Sequence, residues 1–255
     1  MGTIVSISLV SLGKNGRLGN QMFQYAALRG IAENKGFDYN IPNDHISLYQ
    51  CFNIPQRYGP TGKYQVTHQG FEFDEGLFNN CPDDVDLYGY FQSEKYFKHI
   101  EDVIRHEFTF RARIDTMCSH YMKNKFSGSE VISLHIRRGD YLTDPNFHVL
   151  DVEGYYWDAI SSLPDCKVLV FSDDVEWAES KFTSKYCVIS KTKNQFIDLC
   201  LMSKCDYHII ANSSYSWWGA WLAKSKQVIA PRKWFAGDFA NWNTKDLYLP
   251  DWIIL

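Results

Sequence analysis

The 255-residue sequence predicts an α/β protein made of two Rossmann-like domains facing a cleft. Three observations carry that expectation. The chain opens with a strand pattern, a glycine-rich turn and a helix pattern. A polar stretch without an apolar face, Lys123 to Glu130 (KNKFSGSE), interrupts it near the middle. Beyond that stretch, short apolar strands alternate with helical segments. At this length two halves of about 120 residues each can bury their own cores, and a hydrophobic share of 45% can fill them. The chain is therefore read as an N-terminal domain, residues 1–125, and a C-terminal domain, residues 126–255.

Ile4 to Leu9 alternates Ile, Val and Leu with Ser, a β pattern. Gly13 to Gly19 (GKNGRLG) is a turn. Asn20 to Lys35 follows with Met22, Tyr25, Ala26 and Arg29 at helical spacing and Gly36 as its stop. Residues 37–82, with Pro42, Pro55 and Pro60, read as loops and short elements. Tyr96 to Phe110 reads as a helix. In the second half the strands are Val131–Ile136, Val168–Phe171, Cys187–Ile189, Tyr207–Ala211 and Val228–Ala230. The helices between them are Gly154–Leu163, Glu176–Phe182, Asn194–Ser203 and Ser216–Ala223.

Composition excludes some roles. A net charge of -4 argues against a broad basic nucleic-acid face. The seven cysteines are odd in number and form no C-x-x-C or zinc spacing, so they read as reduced thiols of a cytoplasmic protein. MGTIVSISLV has no positive n-region or cleavage site, and Met1-Gly2 does not open an N-myristoylation signal. Tyr207 to Ala223 lacks charge but is too short and too rich in Asn and Ser to span a bilayer. Aromatics reach 16%, which suits stacking on sugar C–H faces and equally suits core filling.

In open α/β sheets ligands bind beyond the carboxyl ends of strands. Three polar clusters stand at such ends: HIRRGDY (His135–Tyr141), SDD (Ser172–Asp174) and NSS (Asn212–Ser214). Arg137 and Arg138 are neighbours on an extended segment, so one faces the crevice and the other braces the structure. A guanidinium there suits a pyrophosphate, or pairs with Asp140. Of Asp173 and Asp174, one carboxylate can accept both N–H groups of a guanine edge, or cap the next helix. Asn212, Ser213 and Ser214 at a helix N-terminus make an anion site, or a plain cap. Trp217, Trp218 and Trp221 read as core. In the first half, Arg17, Asn20 and Gln21 sit on a tight turn at a helix start that can reach phosphate or sugar. That turn is neither a Walker loop nor G-x-G-x-x-G. Asp84 and Asp86 match D-x-D superficially, in an acidic loop, and no metal site is expected.

GRLGNQMFQYA (from Gly16), LYGYFQSEKYF (from Leu87), HIRRGDY, VFSDDVEWA and ANSSYSWWGAWLA (from Ala211) occur in the order found in the glycosyltransferase family 11 α-1,2-fucosyltransferases. The resemblance covers the chain from about Ile4 to Phe235 and implies the GT-B fold. It also implies inverting, metal-independent transfer of L-fucose from GDP-β-L-fucose to the 2-hydroxyl of a terminal galactose in a glycan acceptor, with no cofactor. The C-terminal domain would take GDP-fucose and the N-terminal domain the acceptor. By matching position, Arg137 resembles the residue that grips the pyrophosphate, His135 the residue beside the nucleoside, and Asp174 the guanine reader. Ser213 and Ser214 match phosphate binders, and Arg17 and Asn20 match a turn facing the reacting sugar. Ser172 and Asp173 join the nucleotide-binding set. Gln92 and Ser93 are acceptor candidates, and Asp140 is the candidate general base. GRLGNQ stands where many bacterial members have GGLGNQ. The rival readings are a GDP-fucose transferase of another linkage, such as α-1,3, and a silent sugar-nucleotide or glycan binder.

Overall fold

The computed structural model of the chain describes residues 6–42 and 46–255. Ile4 and Val5 of the first expected strand, and the Met1-Gly2 start, lie outside the described residues. The chain divides into two compact units, Met1–Arg111 with Asn243–Leu249, and Ala112–Trp242 with Pro250–Leu255.

In the first unit the order is β1 (Ser6–Ser8), α1 (Leu18–Lys35), β2 (Asp38–Asn40), α2 (Ser47–Cys51), β3 (Tyr64–Thr67), α3 (Glu75–Asn80), β4 (Val85–Tyr88) and α4 (Glu101–Glu107). The four strands are parallel and lie in the order β2-β1-β4-β3. Strand order therefore reverses between β1 and β4. The turn before α1 and the Gly89–Ser93 segment after β4 leave the sheet at that reversal, where a ligand crevice forms in this architecture. Helix α1 carries the core: Met22, Phe23, Tyr25, Ala26, Leu28 and Ile31 are all fully buried. Two of its polar side chains, Gln21 and Gln24, are buried as well.

In the second unit the order is α5 (Ala112–Phe126), β5 (Val131–Ile136), α6 (Asp158–Ser161), β6 (Lys167–Ser172), α7 (Val175–Lys181), β7 (Cys187–Ile189), α8 (Gln195–Met202), β8 (Tyr207–Ile209), α9 (Ser214–Ala223), β9 (Gln227–Ala230) and β10 (Ile253–Ile254). All six strands are parallel, in the order β10-β9-β8-β5-β6-β7. Every residue of β5 is buried, as a central parallel strand covered on both faces requires. The chain runs from β5 to β6 and β7 on one side, then returns to β8, β9 and β10 on the other. The reversal falls between β5 and β8. Trp217, Trp218 and Trp221 of α9 are buried and pack ring to ring, Trp217 to Trp218 at 5.0 Å. They are core.

The differences from the sequence reading have simple causes. Helix α5 occupies Ala112–Phe126, and only Cys118 and Phe126 on it are buried, so no apolar stripe announced it. Lys123–Glu130 is therefore the end of a helix and the turn after it, inside the second unit, and the units divide at Arg111 and Ala112 instead. Residues 37–82 hold two short strands and two short helices, and β4 follows them. The outer strand β3 is mostly exposed and shows no alternation of burial. The expected helix from Tyr96 is two single 3-10 turns leading into α4. The expected helix from Gly154 is a π-type turn, Val152–Trp157, followed by α6. The fold is otherwise the predicted α/β one, with two parallel-sheet, Rossmann-like units. Among the described residues no helix is long and apolar enough to cross a membrane, and all seven cysteines are free thiols.

Candidate functional site

The loops after β5, β6 and β8 bring the three polar clusters of the second unit together. Arg137 and Arg138 leave β5 in divergent directions. The Arg137 guanidinium lies 5.3 Å from the Tyr141 ring centre and pairs with two carboxylates, Asp140 and Asp173. The Arg138 guanidinium lies 4.0 Å over Trp177, and its Nε donates to Asp174 Oδ2 at 3.1 Å. The two side chains are 14% and 18% exposed.

Asp173 is the bridge. Its Oδ1 accepts the Arg138 backbone N–H at 2.9 Å while its Oδ2 holds Arg137. Gly139 makes that possible, because a Cβ there would lie 2.6 Å from Asp173 Oδ2. Asp174 is the N-cap of α7, its Oδ1 accepting from Trp177 N at 3.2 Å. The same carboxylate thus caps a helix and pairs with Arg138. Ser172 Oγ donates to Asp174 O at 3.1 Å and accepts from Asp174 N at 3.0 Å, which fixes the bend into α7.

Tyr141 ties the first cluster to the third. Its hydroxyl donates to Asn212 O at 2.9 Å, and its ring stacks on Phe147 with centres 4.3 Å apart. Asn212 is 1% exposed. Its Nδ2 donates to His148 O at 2.9 Å and to Trp234 O at 2.7 Å, so it joins the loops after β5 and β9 from inside. Its buried Oδ1 has no hydrogen-bond partner. The expected role of Asn212 as a ligand contact becomes one of loop support. Ser213 caps α9, accepting from Tyr215 N at 3.3 Å, and Ser214 opens that helix half-buried. Both stand at the N-terminal end of α9, the positive end of its dipole, and Ser213 N–H donates to Ala211 O at 2.7 Å.

His135, next to last in β5, is also buried, its ring centre 5.5 Å from that of Tyr215, with Nδ1 unpartnered. Burial, reinforced by the charge of Arg137, pushes its pKa down to about 3. It is a neutral imidazole at any ordinary pH. Asp140 is the most open member of the cluster, with its side chain 47% exposed. It holds Arg137, the alternative to a general base noted from the sequence.

The first unit gathers a second polar group at its own strand reversal. Arg17 is the exposed N-cap residue of α1, and Asn20 is half-buried in its first turn. Gln92 Nε2 donates to Asn20 Oδ1 at 2.8 Å. Gln24 Nε2 donates to Asn15 O at 3.2 Å and to Gly89 O at 3.0 Å, which ties the turn before α1 to the segment after β4. Gln92 is 5% exposed and Ser93 is fully buried, its Oγ accepting from Lys95 N. Both expected acceptor contacts therefore point inward. The D-x-D pair has other partners: Asp86 accepts from Ser8 Oγ at 2.7 Å and Val10 N at 3.0 Å, and Asp84 pairs with Lys63 Nζ at 2.6 Å. Among the described residues no group of three or more His, Cys, Asp or Glu is arranged to hold a metal ion.

Sequence reasoning missed Tyr141, Trp177, Gln24 and the bridging of Asp173. The signal for Gln24 was present, a polar residue on the buried face of a helix. The aromatic partners of the arginines carried no signal beyond adjacency.

Comparison with known proteins places the sequence in one family. A profile of Glycosyl transferase family 11 matches residues 5–255. The O-antigen biosynthesis glycosyltransferase WbnK of Escherichia coli is 37% identical, over 79% of this chain and 69% of that protein. The alpha-1,2-colitosyltransferase of Escherichia coli is 29% identical, over 92% and 95%. The galactoside 2-alpha-L-fucosyltransferase SEC1 of Bos taurus is 25% identical, over 95% and 73%. Among solved structures, the NodZ alpha-1,6-fucosyltransferase soaked with GDP-fucose shares the fold with a TM-score of 0.58 at 12% identity, over 90% of this chain and 96% of that one.

Proposed function

The chain belongs to glycosyltransferase family 11, and from that premise we propose that it transfers L-fucose from GDP-β-L-fucose to the 2-hydroxyl of a terminal galactose. The observation that carries the reading is the convergence of Arg137, Asp140 and Asp173 with the N-terminus of α9 at the strand reversal between β5 and β8. Two relatives, a galactoside 2-alpha-L-fucosyltransferase and an alpha-1,2-colitosyltransferase, support transfer to a 2-hydroxyl.

An α-fucoside from a β-linked donor requires inversion, so one displacement suffices. Negative charge grows on the departing β-phosphate as the anomeric carbon becomes oxocarbenium-like. A guanidinium aimed by two carboxylates and a ring, together with the positive end of the α9 dipole and the Ser213 and Ser214 hydroxyls, stabilises that charge. The diphosphate takes over the face of Arg137 that Asp140 holds, since Asp140 is the more exposed of the two carboxylates. The released carboxylate can then accept the proton of the acceptor hydroxyl. Asp174, while capping α7, keeps lone pairs for a guanine edge. Charge neutralised by arginine and helix dipole removes the need for a metal ion.

A second donor is favoured by the colitosyltransferase, whose match spans both chains almost completely. Colitose is L-fucose without its 3-hydroxyl. A site that hydrogen-bonds that hydroxyl rejects the deoxy sugar strongly, by up to about 10⁴-fold. The test is GDP release from GDP-fucose and from GDP-colitose, each with and without lactose. Lactose-dependent release from GDP-fucose supports the fucosyl reading. Release only from GDP-colitose replaces it, and acceptor-independent binding of either nucleotide without turnover leaves a sugar-nucleotide binder.

A further inference from the structure

The hydrogen bond between Gln92 and Asn20 gives the first unit a device that nothing above assigns. Asn20 lies in the first turn of α1, at the reversal of the sheet between β1 and β4, and is half-buried. Gln92 comes from the segment that follows β4, the other strand of that reversal, and is buried. Only Asn20 of the two can meet a ligand.

Three features fix the pair. First, the residue before Gln92, Phe91, has φ 52°, a left-handed conformation that a bulky side chain avoids. Phe91 is fully buried, stacked on His68 with centres 5.2 Å apart and edge-on to Tyr96 at 5.6 Å, and this packing holds the backbone there. Second, Gln92 Nε2 donates to Asn20 Oδ1 at 2.8 Å. Third, Gly16 has φ 90°, and a Cβ there would lie 2.5 Å from Asn20 Nδ2, so the glycine leaves the space in which that end of the amide rests. An amide can be turned over without changing its shape, and its orientation is set by its partners. Here a donor occupies the oxygen end.

We propose that Gln92 is a positioning residue that locks the Asn20 side chain with its Nδ2 end as the hydrogen-bond donor toward the oxygen-rich substrate of this transferase. This rests on the transferase reading above. The strained Phe91 turn aims Gln92, Gln92 orients Asn20, and Asn20 donates to an oxygen of the donor sugar. A ligand site built this way selects an acceptor atom at that point and tolerates no N–H or hydroxyl locked in the donor sense.

The experiment is a double-mutant cycle read by kcat, KM and GDP affinity, with GDP-fucose and lactose as substrates. Gln92→Ala and Asn20→Ala should each lower kcat at least about tenfold, with calorimetric GDP affinity changed less than about twofold. The double variant should be no worse than Asn20→Ala, because one residue acts through the other. Gln92→Glu separates orientation from packing. Its ionised carboxylate accepts rather than donates, which turns the Asn20 amide over, so kcat at about pH 8 stays low even where thermal stability is restored. A protonated carboxyl can donate again, so kcat of this variant should recover as pH falls, unlike the wild type. Additive losses, full activity of Gln92→Glu at about pH 8, or a change confined to lactose KM would each overturn the proposal. If the wild type transfers no fucose to any galactoside, the function is wrong and the device is tested directly. The Gln92 side-chain amide protons should then be protected from solvent exchange by NMR in the wild type, with protection passing to Asn20 in Gln92→Glu. Unprotected amides in both proteins would overturn it.

Discussion

Arg138→Ala should destabilise the second unit and leave the chemistry of the folded fraction nearly intact, whereas Arg137→Ala should do the reverse. Arg138 stacks 4.0 Å over Trp177 and pairs with Asp174 at 3.1 Å. A cation over an indole contributes about 0.5–1 kcal/mol at a partly exposed site. The ion pair, with side chains 18% and 31% exposed, adds about 1 kcal/mol once solvent screening is allowed for. The total is about 2 kcal/mol, or a fall of roughly 4–8 °C in Tm for a body of this size. Arg138→Lys keeps charge but loses the flat fork, so about half of that loss should remain. Arg137 instead faces Asp140 and Asp173 and is assigned to the diphosphate. Arg137→Lys should lose at least about tenfold in kcat and Arg137→Ala roughly a hundredfold or more, the range of a charge-assisted contact that strengthens in the transition state. Thermal melts by circular dichroism and steady-state kinetics on the soluble fraction read both effects. If folded Arg137→Ala keeps near-native kcat while folded Arg138→Ala does not, the two arginines are assigned backwards. If both keep it, the diphosphate is held elsewhere.

Other outcomes follow from the same geometry. Turnover should survive excess EDTA, and loss of activity restored by Mg²⁺ or Mn²⁺ would redirect attention to Asp84 and Asp86. Asp174→Asn retains a capping oxygen for α7 but loses charge toward Arg138, so Tm should fall less than in Asp174→Ala. It should also weaken GDP binding by about 1–3 kcal/mol, the effect of an unmatched buried donor at the guanine, and unchanged calorimetric affinity would leave Asp174 a cap alone. His135 and His208 are pushed down to about 3 and about 4 by burial. The unfolded chain takes up these protons near pH 6.5 and the folded chain does not. Stability therefore falls as pH drops from about 6.5 toward 4, by up to about 1.4 kcal/mol per pH unit for each histidine. Urea midpoints at pH 7 and pH 5 check the slope, which should be shallower in His208→Gln.

The second sheet was readable because its strands are short, mostly apolar runs, as in VISLHI, and three of them lead into clusters of polar residues. That pattern alone places Arg137, Asp173 and Ser213 beyond strand ends, where the structure has them. The first unit was harder. Strands β2 and β3 are three and four residues long, too short for a period to show. Helix α5, which opens the second unit, buries too little for an apolar stripe. Orientation was the other gap. Adjacent residues 137 and 138 diverge and Asp140 is a local partner, but which of Asp173 and Asp174 each arginine meets depends on the loop after β6, and no local pattern encodes it. Gln92 is an acceptor candidate only through the resemblance of the LYGYFQSEKYF segment to a family motif. The left-handed turn at Phe91 sends it inward, and a phenylalanine there gives no hint of that conformation.

The central claim is tested most directly by the product itself. The purified chain is incubated with GDP-fucose and lactose, and the trisaccharide is isolated for NMR. The account predicts an α-linked fucose whose anomeric proton correlates with carbon 2 of the galactose. A fucose on another galactose or glucose hydroxyl, a β linkage, or free fucose as the only product would contradict it.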